Sequence, residues 1–191
     1  MNLPNKLTVL RMALVPVFLI FILSPGIPHG YLWAFIVFVA ASLTDLLDGR
    51  IARKRGLVTD FGKLMDPLAD KVLVMSAMLC FVEKGWAPAV AVILILAREF
   101  LVTSLRLIAA GGGVVIAADR WGKYKTVCQM VWVIYTIGAQ WYLGAFVSPA
   151  DQGAWVTITL AADLLMWLSV ILTVISGVNY LWKNRACIRT K

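Results

Sequence analysis

The sequence predicts an all-α membrane bundle of six transmembrane helices with an interfacial N-terminal segment, folded as a single domain over residues 1–191. Three observations carry that expectation. Hydrophobic residues make up 61% of the 191 positions and the mean hydropathy is +0.86, both above what a soluble core uses. Apolar stretches recur at lengths near the ~20 residues that a helical span requires. Basic residues collect in alternate connections, as they do when they fix the orientation of spans in a bilayer.

The first span is read from Thr8 to Leu23; it carries Arg11 and lacks a small-x-small cleavage site, so it reads as a retained helix and not a signal peptide. Ser24-Pro25-Gly26-Ile27-Pro28-His29-Gly30 is a loop by composition, and its histidine is read as solvated. The second span starts at Tyr31 and runs to about Arg55, past the apolar stretch that ends at Leu43. After a turn at Gly56 to Asp60 the third runs from Pro67 to Val82, and Gly85 separates it from a fourth at Pro88 to Ala110. Gly111-Gly112-Gly113 precedes the fifth, Tyr124 to Val147, and Ser148 to Gly153 precedes the sixth, Trp155 to Trp182. Trp33, Trp86, Trp155 and Trp182 near span ends are read as interfacial belt residues. Cys80, Cys128 and Cys187 stand too far apart for a metal or disulfide pattern and are read as packing residues.

Lys6 and Arg11, Arg50 to Lys63, Arg120 to Lys125, and Lys183 to Lys191 fall on one side of this topology, against Lys84 on the other. Both termini of the multi-pass bundle are therefore expected in the cytoplasm. The net charge of +8 flanks spans, which suits anionic head groups and excludes nucleic acid as the expected partner.

Between Asp45 and Asp70 the chain reads D-x2-D-G-x2-A-R-x8-G-x3-D-x3-D. Asp45, Asp48, Gly49, Ala52 and Arg53 occupy i, i+3, i+4, i+7 and i+8, one face of a helix, so the second span is expected to continue beyond the bilayer. Gly62, Asp66 and Asp70 form a second such series, unless Asp66 caps a helix that begins at Pro67. Four carboxylates at the end of an apolar segment are costly without a cation. Oxygen ligands with no histidine or thiolate select Mg²⁺ or Mn²⁺, and Arg53 adds a phosphate-binding fork. Carboxylates, metal and phosphate together describe phosphoryl transfer, with an unligated carboxylate taking the proton of an attacking hydroxyl. Eight fixed positions at ~5% each arise by chance with odds on the order of 10⁻¹⁰ per start site.

Those eight residues resemble, at every fixed position, the signature of the CDP-alcohol phosphatidyltransferases. The resemblance implies a usually dimeric bundle of six transmembrane helices whose polar site opens to the cytoplasm, in which a hydroxyl displaces CMP from a CDP-linked lipid. It implies Asp45, Asp48 and Asp66 as metal ligands, two ions being expected, and Asp70 as general base and a further ligand. Gly49, Ala52, Arg53 and Gly62 would line the CDP pocket, and a homodimer is expected.

Outside the signature, Asn2 to Thr8 with Arg11, Arg98-Glu99-Phe100 with Arg106, and Gly122-Lys123-x-Lys125-Thr126 with Gln129 are similar to the glycerophosphate-accepting branch of that family. That likeness implies CDP-diacylglycerol and glycerol 3-phosphate as substrates, within a lipid membrane. An anionic acceptor needs cations, and Arg98, Arg106, Lys123 and Lys125 are the candidates for its phosphate. Arg98 is the most informative, because it lies about ten residues into the fourth span, where an unpaired guanidinium is costly. For the other three, ordinary positive-inside charge is the competing reading. Asn5, Thr8 and Arg11 either anchor an interfacial first helix or reach the diphosphate. Two alternatives stand beside this one: a family member making phosphatidylserine, phosphatidylinositol phosphate or cardiolipin, and a divalent-cation transporter. The transporter is disfavoured because the aspartates lie at helix ends beside Arg53 and no internal repeat is visible.

Overall fold

The computed structural model describes residues 3–55, 60–111 and 120–185, with side chains described for 7–44, 68–69, 71–109 and 120–185. Six helices account for almost all of it: α1 Leu3–Leu23, α2 Gly30–Arg55, α3 Asp60–Glu83, α4 Ala89–Gly111, α5 Arg120–Phe146 and α6 Gln152–Lys183. Among the described residues there is no strand. Each predicted span is a helix, and several begin earlier than expected, α5 at Arg120 instead of Tyr124 and α6 at Gln152 instead of Trp155 among them. α1 begins at Leu3 instead of Thr8, with Pro4 in its first turn, where a fixed φ and a missing N–H cost a helix nothing. α3 begins at Asp60, so Pro67 lies inside the helix and Asp66 is not its cap.

Among the described residues, only α6 is by itself long and apolar enough to cross a membrane. Leu7–Leu23 and Gly30–Thr44 are shorter apolar helical stretches. α4 falls short because it carries Arg98, Glu99 and Arg106, and α5 because Gln129, Gln140 and its tryptophans and tyrosines dilute its apolar residues. The outer faces are apolar nonetheless, with Ile93, Phe100 and Leu107 of α4 and Leu160, Leu164 and Ile171 of α6 all exposed. An apolar belt of this extent suits a hydrocarbon surround.

Inside, α1 packs on α2 and α3, α5 on α6 and α2, and α4 on α6. Phe18, Phe38, Phe81, Met78, Ile95 and Trp132 are all buried in one core cluster. Phe81 is its hinge: its ring centroid lies 5.6 Å from that of Trp132 and 5.7 Å from that of Trp86. The second contact belongs to the end of α3. The Trp86 N–H donates to the Phe81 carbonyl at 2.8 Å and the Gly85 N–H to that of Val82 at 3.1 Å, with Gly85 at φ 71°. This is a Schellman stop, which needs the left-handed residue that glycine supplies and joins its flanking apolar side chains.

Several smaller expectations change here. Trp86 faces inward onto Phe81 and Tyr31 and is no belt residue, whereas Trp33 and Trp182 are exposed as expected. His29 is not merely solvated: at φ 54° it turns the chain, and its carbonyl accepts from Leu32 and Trp33 to start α2. Gly30 follows at a close crossing, where a Cβ would stand 2.7 Å from the Phe21 carbonyl oxygen. At the same end of the bundle, the Asp151 side chain caps α6 by accepting from the Ala154 N–H at 3.1 Å. Cys80 is buried and Cys128 Sγ approaches the Leu165 carbonyl at 3.9 Å, as packing residues; Cys187 lies outside the described residues.

Trp132→Ala removes a fully buried ring from this cluster and is expected to cost about 3–5 kcal/mol. Trp167→Ala, on the exposed face of α6, is expected to stay within about 0.5 kcal/mol. Thermal unfolding of the two variants in the same detergent checks the difference.

Candidate active site

The signature residues fall on two helices. Asp45, Asp48, Gly49, Ala52 and Arg53 lie in the last three turns of α2, and Gly62, Asp66 and Asp70 in the first three turns of α3. Spacings of three and four in the first series, and of four in the second, therefore place each along one helical face. Their side chains lie outside the described residues, as does that of Asn5 on α1. The residues that bracket them are described: Ser42 and Leu43 just before Asp45, and Lys71 just after Asp70, all line the same cavity of about 690 Å³.

The turn of α2 that leads into Asp45 is held by extra donors. Thr44 Oγ1 donates to the Ala41 carbonyl at 2.7 Å, Ser42 Oγ to that of Phe38 at 2.8 Å, and Arg11 Nε reaches the Ala41 carbonyl at 3.4 Å. Thr8 and Arg11 are each only 1% exposed. This corrects the reading of α1 as an interfacial anchor at those positions. Both side chains point into the bundle, and Arg11 meets α2 one turn before the first aspartate.

All four predicted acceptor cations, Arg98, Arg106, Lys123 and Lys125, line this cavity. Arg98 is built in from three helices. Its Nη1 donates to Glu99 Oε1 at 3.0 Å and its Nη2 to Ser176 Oγ of α6 at 2.6 Å. Space for it is made by glycine: a Cβ on Gly177 would stand 3.1 Å from Arg98 Cγ, and one on Gly122 3.4 Å from Nη2. Lys125 Nζ donates to the same Glu99 oxygen, and the Lys125 side chain is only 3% exposed. Arg106 Nε donates to the Tyr180 hydroxyl at 3.2 Å and its guanidinium lies 5.6 Å from that ring's centroid. Lys123 is exposed at the rim.

Sequence reasoning missed Lys71, Ser176 and Tyr180, and named Glu99 and Gln129 only within the family likeness. Lys71, on the cavity wall, donates to Thr103 Oγ1, and Gln129 Nε2 meets Met78 Sδ at 3.5 Å. Glu99 is the bridge between Arg98 and Lys125. Ser176 and Tyr180 come from α6, which carries no polar motif; the signal was their spacing of four with Gly177 between, one small-residue face of an apolar helix. The rest of the wall is apolar, with Val39, Leu43, Met75, Met78, Val131 and Ile134 among its residues. One cavity thus joins a cationic end to an apolar side.

The amino-acid sequence matches the CDP-alcohol phosphatidyltransferase profile over residues 1–175. The chain belongs to the CDP-alcohol phosphatidyltransferase family. Within it, the chain is 42% identical to the CDP-diacylglycerol–glycerol-3-phosphate 3-phosphatidyltransferase of Bacillus subtilis, over 99% of this chain and 98% of that one. It is 36% identical to the protein of the same name from Rickettsia bellii, over 94% and 93% of the two chains. The Haemophilus influenzae protein of that name is 34% identical over 94% and 91%. The family match spans both the aspartate series and Arg98, Arg106, Lys123 and Lys125, and the chain is a phosphatidyltransferase.

A CDP-alcohol phosphatidyltransferase built this way depends on the space beside Arg98. Gly177→Val puts a branched side chain where even one carbon stands 3.1 Å from the Arg98 stem, and is expected to cut phosphatidyl transfer by about tenfold or more. Gly144→Ala, with open space around it, is expected to leave activity unchanged. Turnover of a CDP-linked lipid by the two variants in mixed micelles checks this.

Proposed function

We propose that the protein transfers the phosphatidyl group of CDP-diacylglycerol to glycerol 3-phosphate, giving phosphatidylglycerophosphate and CMP. The observation that carries the reading is the cavity itself: Arg98, Arg106, Lys123 and Lys125 line one space with the residues that bracket the two aspartate series. Glycerol 3-phosphate is a small anion, and guanidinium and ammonium groups are what its phosphate requires. The apolar wall suits the acyl chains of the other substrate. Relatives named for this reaction at 34–42% identity support the same acceptor.

The aspartates fit a hard divalent cation by the chemistry of the donor set, since four carboxylates on two helices supply only oxygen ligands. Asp45, Asp48, Asp66 and Asp70 would hold Mg²⁺ or Mn²⁺, two ions in this reading. Bound there, such ions would neutralise the diphosphate and stabilise departing CMP. The chain's own residues do the rest. Gly49, Ala52 and Gly62 leave room for the cytidine diphosphate at the backbone, and Arg53 pairs with its phosphates. The cations of α4 and α5 hold the acceptor phosphate. Asp70 takes the proton of the acceptor hydroxyl as its oxygen bonds to the phosphatidyl phosphorus, and the bond from that phosphorus to CMP breaks. No serine, cysteine or histidine accompanies the motif as a nucleophile, which favours direct transfer.

The same reading places the protein as a homodimer of six-span chains in a bacterial inner membrane, with termini and site on the cytoplasmic side. The supporting pattern is the basic residues that flank α2, α3, α5 and α6 on one side.

Purified protein in mixed micelles is expected to release CMP from CDP-diacylglycerol with glycerol 3-phosphate and not with serine; the reverse preference overturns the acceptor. A chelator is expected to abolish that release, with Mg²⁺ or Mn²⁺ restoring it; full activity in excess chelator overturns the metal assignment. Asp70→Asn is expected to lower turnover by roughly 10²-fold or more, while retention of CDP-diacylglycerol, measured by equilibrium binding, persists. Unchanged turnover removes Asp70 as the base.

A further inference from the structure

Among the described residues lining the cavity, Glu99 is the one carboxylate amid Lys71, Arg98, Arg106, Lys123 and Lys125. A site that attracts an anion gains nothing from a negative charge pointed into it, unless that charge serves the cations. The contacts show how it does so. One oxygen, Oε1, accepts from Arg98 Nη1 at 3.0 Å and also from Lys125 Nζ. Arg98 and Glu99 belong to α4 and Lys125 to α5, while the second amino group of Arg98 is held by Ser176 on α6. Lys125 has Glu99 as its recorded hydrogen-bond and ion-pair partner, and at 3% exposure it has little water to replace it. An ammonium so enclosed needs a counter-charge to stay protonated and in place, and removing one partner of such a pair leaves the other buried without compensation. Arg98 is less dependent, because Ser176 holds its other arm.

We infer that Glu99 is a positioning residue for the acceptor site, holding Lys125 charged and aimed into the cavity between α4 and α5, with Arg98 as its second client. The inference rests on the proposed acceptor reading and deepens it. Glu99 does not touch the reacting atoms; its effect reaches the substrate through Lys125. Two opposite signs are physically available. If Glu99 merely competed with the acceptor phosphate for the cations, its removal would tighten acceptor binding. If it positions Lys125, its removal weakens binding, and the loss vanishes when Lys125 is already gone.

The experiment is a double-mutant cycle on the full-length protein in mixed micelles. Glu99→Gln is expected to raise the apparent KM for glycerol 3-phosphate by about tenfold or more, with kcat and the KM for CDP-diacylglycerol within about twofold of wild type. In a Lys125→Met background the same substitution is expected to add less than about twofold. A KM that is unchanged or lowered, an equal effect on both substrates, or full additivity with Lys125→Met overturns the inference. Should Glu99→Gln fail to accumulate, Glu99→Asp, which keeps the charge one methylene further back, is expected to raise the KM to a smaller extent, and a wild-type KM there overturns it too. Wild-type protein that turns over with no glycerol 3-phosphate dependence removes the acceptor reading instead. In that case protection of the protein by inorganic phosphate against thermal inactivation decides on Glu99: about tenfold weaker protection in Glu99→Gln supports the inference, and equal protection overturns it.

Discussion

The structure turns on one constraint: a guanidinium and an ammonium must be kept charged inside helices that are otherwise apolar. Arg98 lies about ten residues into α4 and Lys125 is nearly sealed from solvent, both in a bundle whose outer faces are Ile, Leu and Phe. In hydrocarbon surroundings such groups persist only where polar partners from neighbouring helices meet them. Glu99 supplies the counter-charge and Ser176 the hydroxyl, so α4, α5 and α6 are joined at the point where their charges are buried. The contact of α4 with α6 follows from the same need, since the arginine stem enters where Gly177 offers no side chain.

That junction explains why α6 is both apolar enough to cross a membrane and a contributor to the polar site. Its exposed side presents Leu160, Leu164 and Ile171, while Ser169, Thr173, Ser176, Gly177 and Tyr180 are buried. Small residues on one face let a neighbouring helix come close, and hydroxyls on that face can bond to their own backbone or to the neighbour. Thr173 takes the first course, donating to the Ser169 carbonyl at 2.7 Å, and Ser176 the second, accepting from Arg98. Tyr180 continues the face one turn on, beneath Arg106. A helix that looks like a membrane anchor is thus also the back wall of the cation cluster.

The sequence carried the helices, the reaction signature and the four cations, because each leaves a local mark: apolar runs of span length, a fixed aspartate spacing, and basic residues in unusual places. It carried less where structure arises between distant segments. Glu99 adjoins Arg98, and helical geometry sends consecutive side chains about 100° apart, so only the arrival of Lys125 from α5 shows why both point into one cavity. For Arg11 the sequence left an interfacial anchor and a reach toward the diphosphate both open; packing of α1 on α2 and α3 buries it, at the Ala41 carbonyl. Pro67 read as a helix start because proline ends more helices than it continues, yet α3 opens at Asp60 and runs through it.

These pieces give the two polar features different mechanical bases. The aspartate series ride on α2 and α3, helices tied to α1 through the aromatic core and by Arg11 at the turn before Asp45. The cations ride on α4 and α5, tied to each other by Glu99 and to α6 by Ser176 and Tyr180. The cavity is where the two halves face one another, bridged by Lys71 of α3 donating to Thr103 of α4. The helices that carry the aspartates and those that carry the cations can be tuned separately. Changes on α4 or α5 would alter the cationic end of the cavity without touching the aspartates of α2 and α3. Lys71, beside Asp70 on α3 and bonded to Thr103 of α4, joins the two sets of helices at the cavity, while the Phe81–Trp132 contact and the packing of α2 on α5 join them in the apolar core.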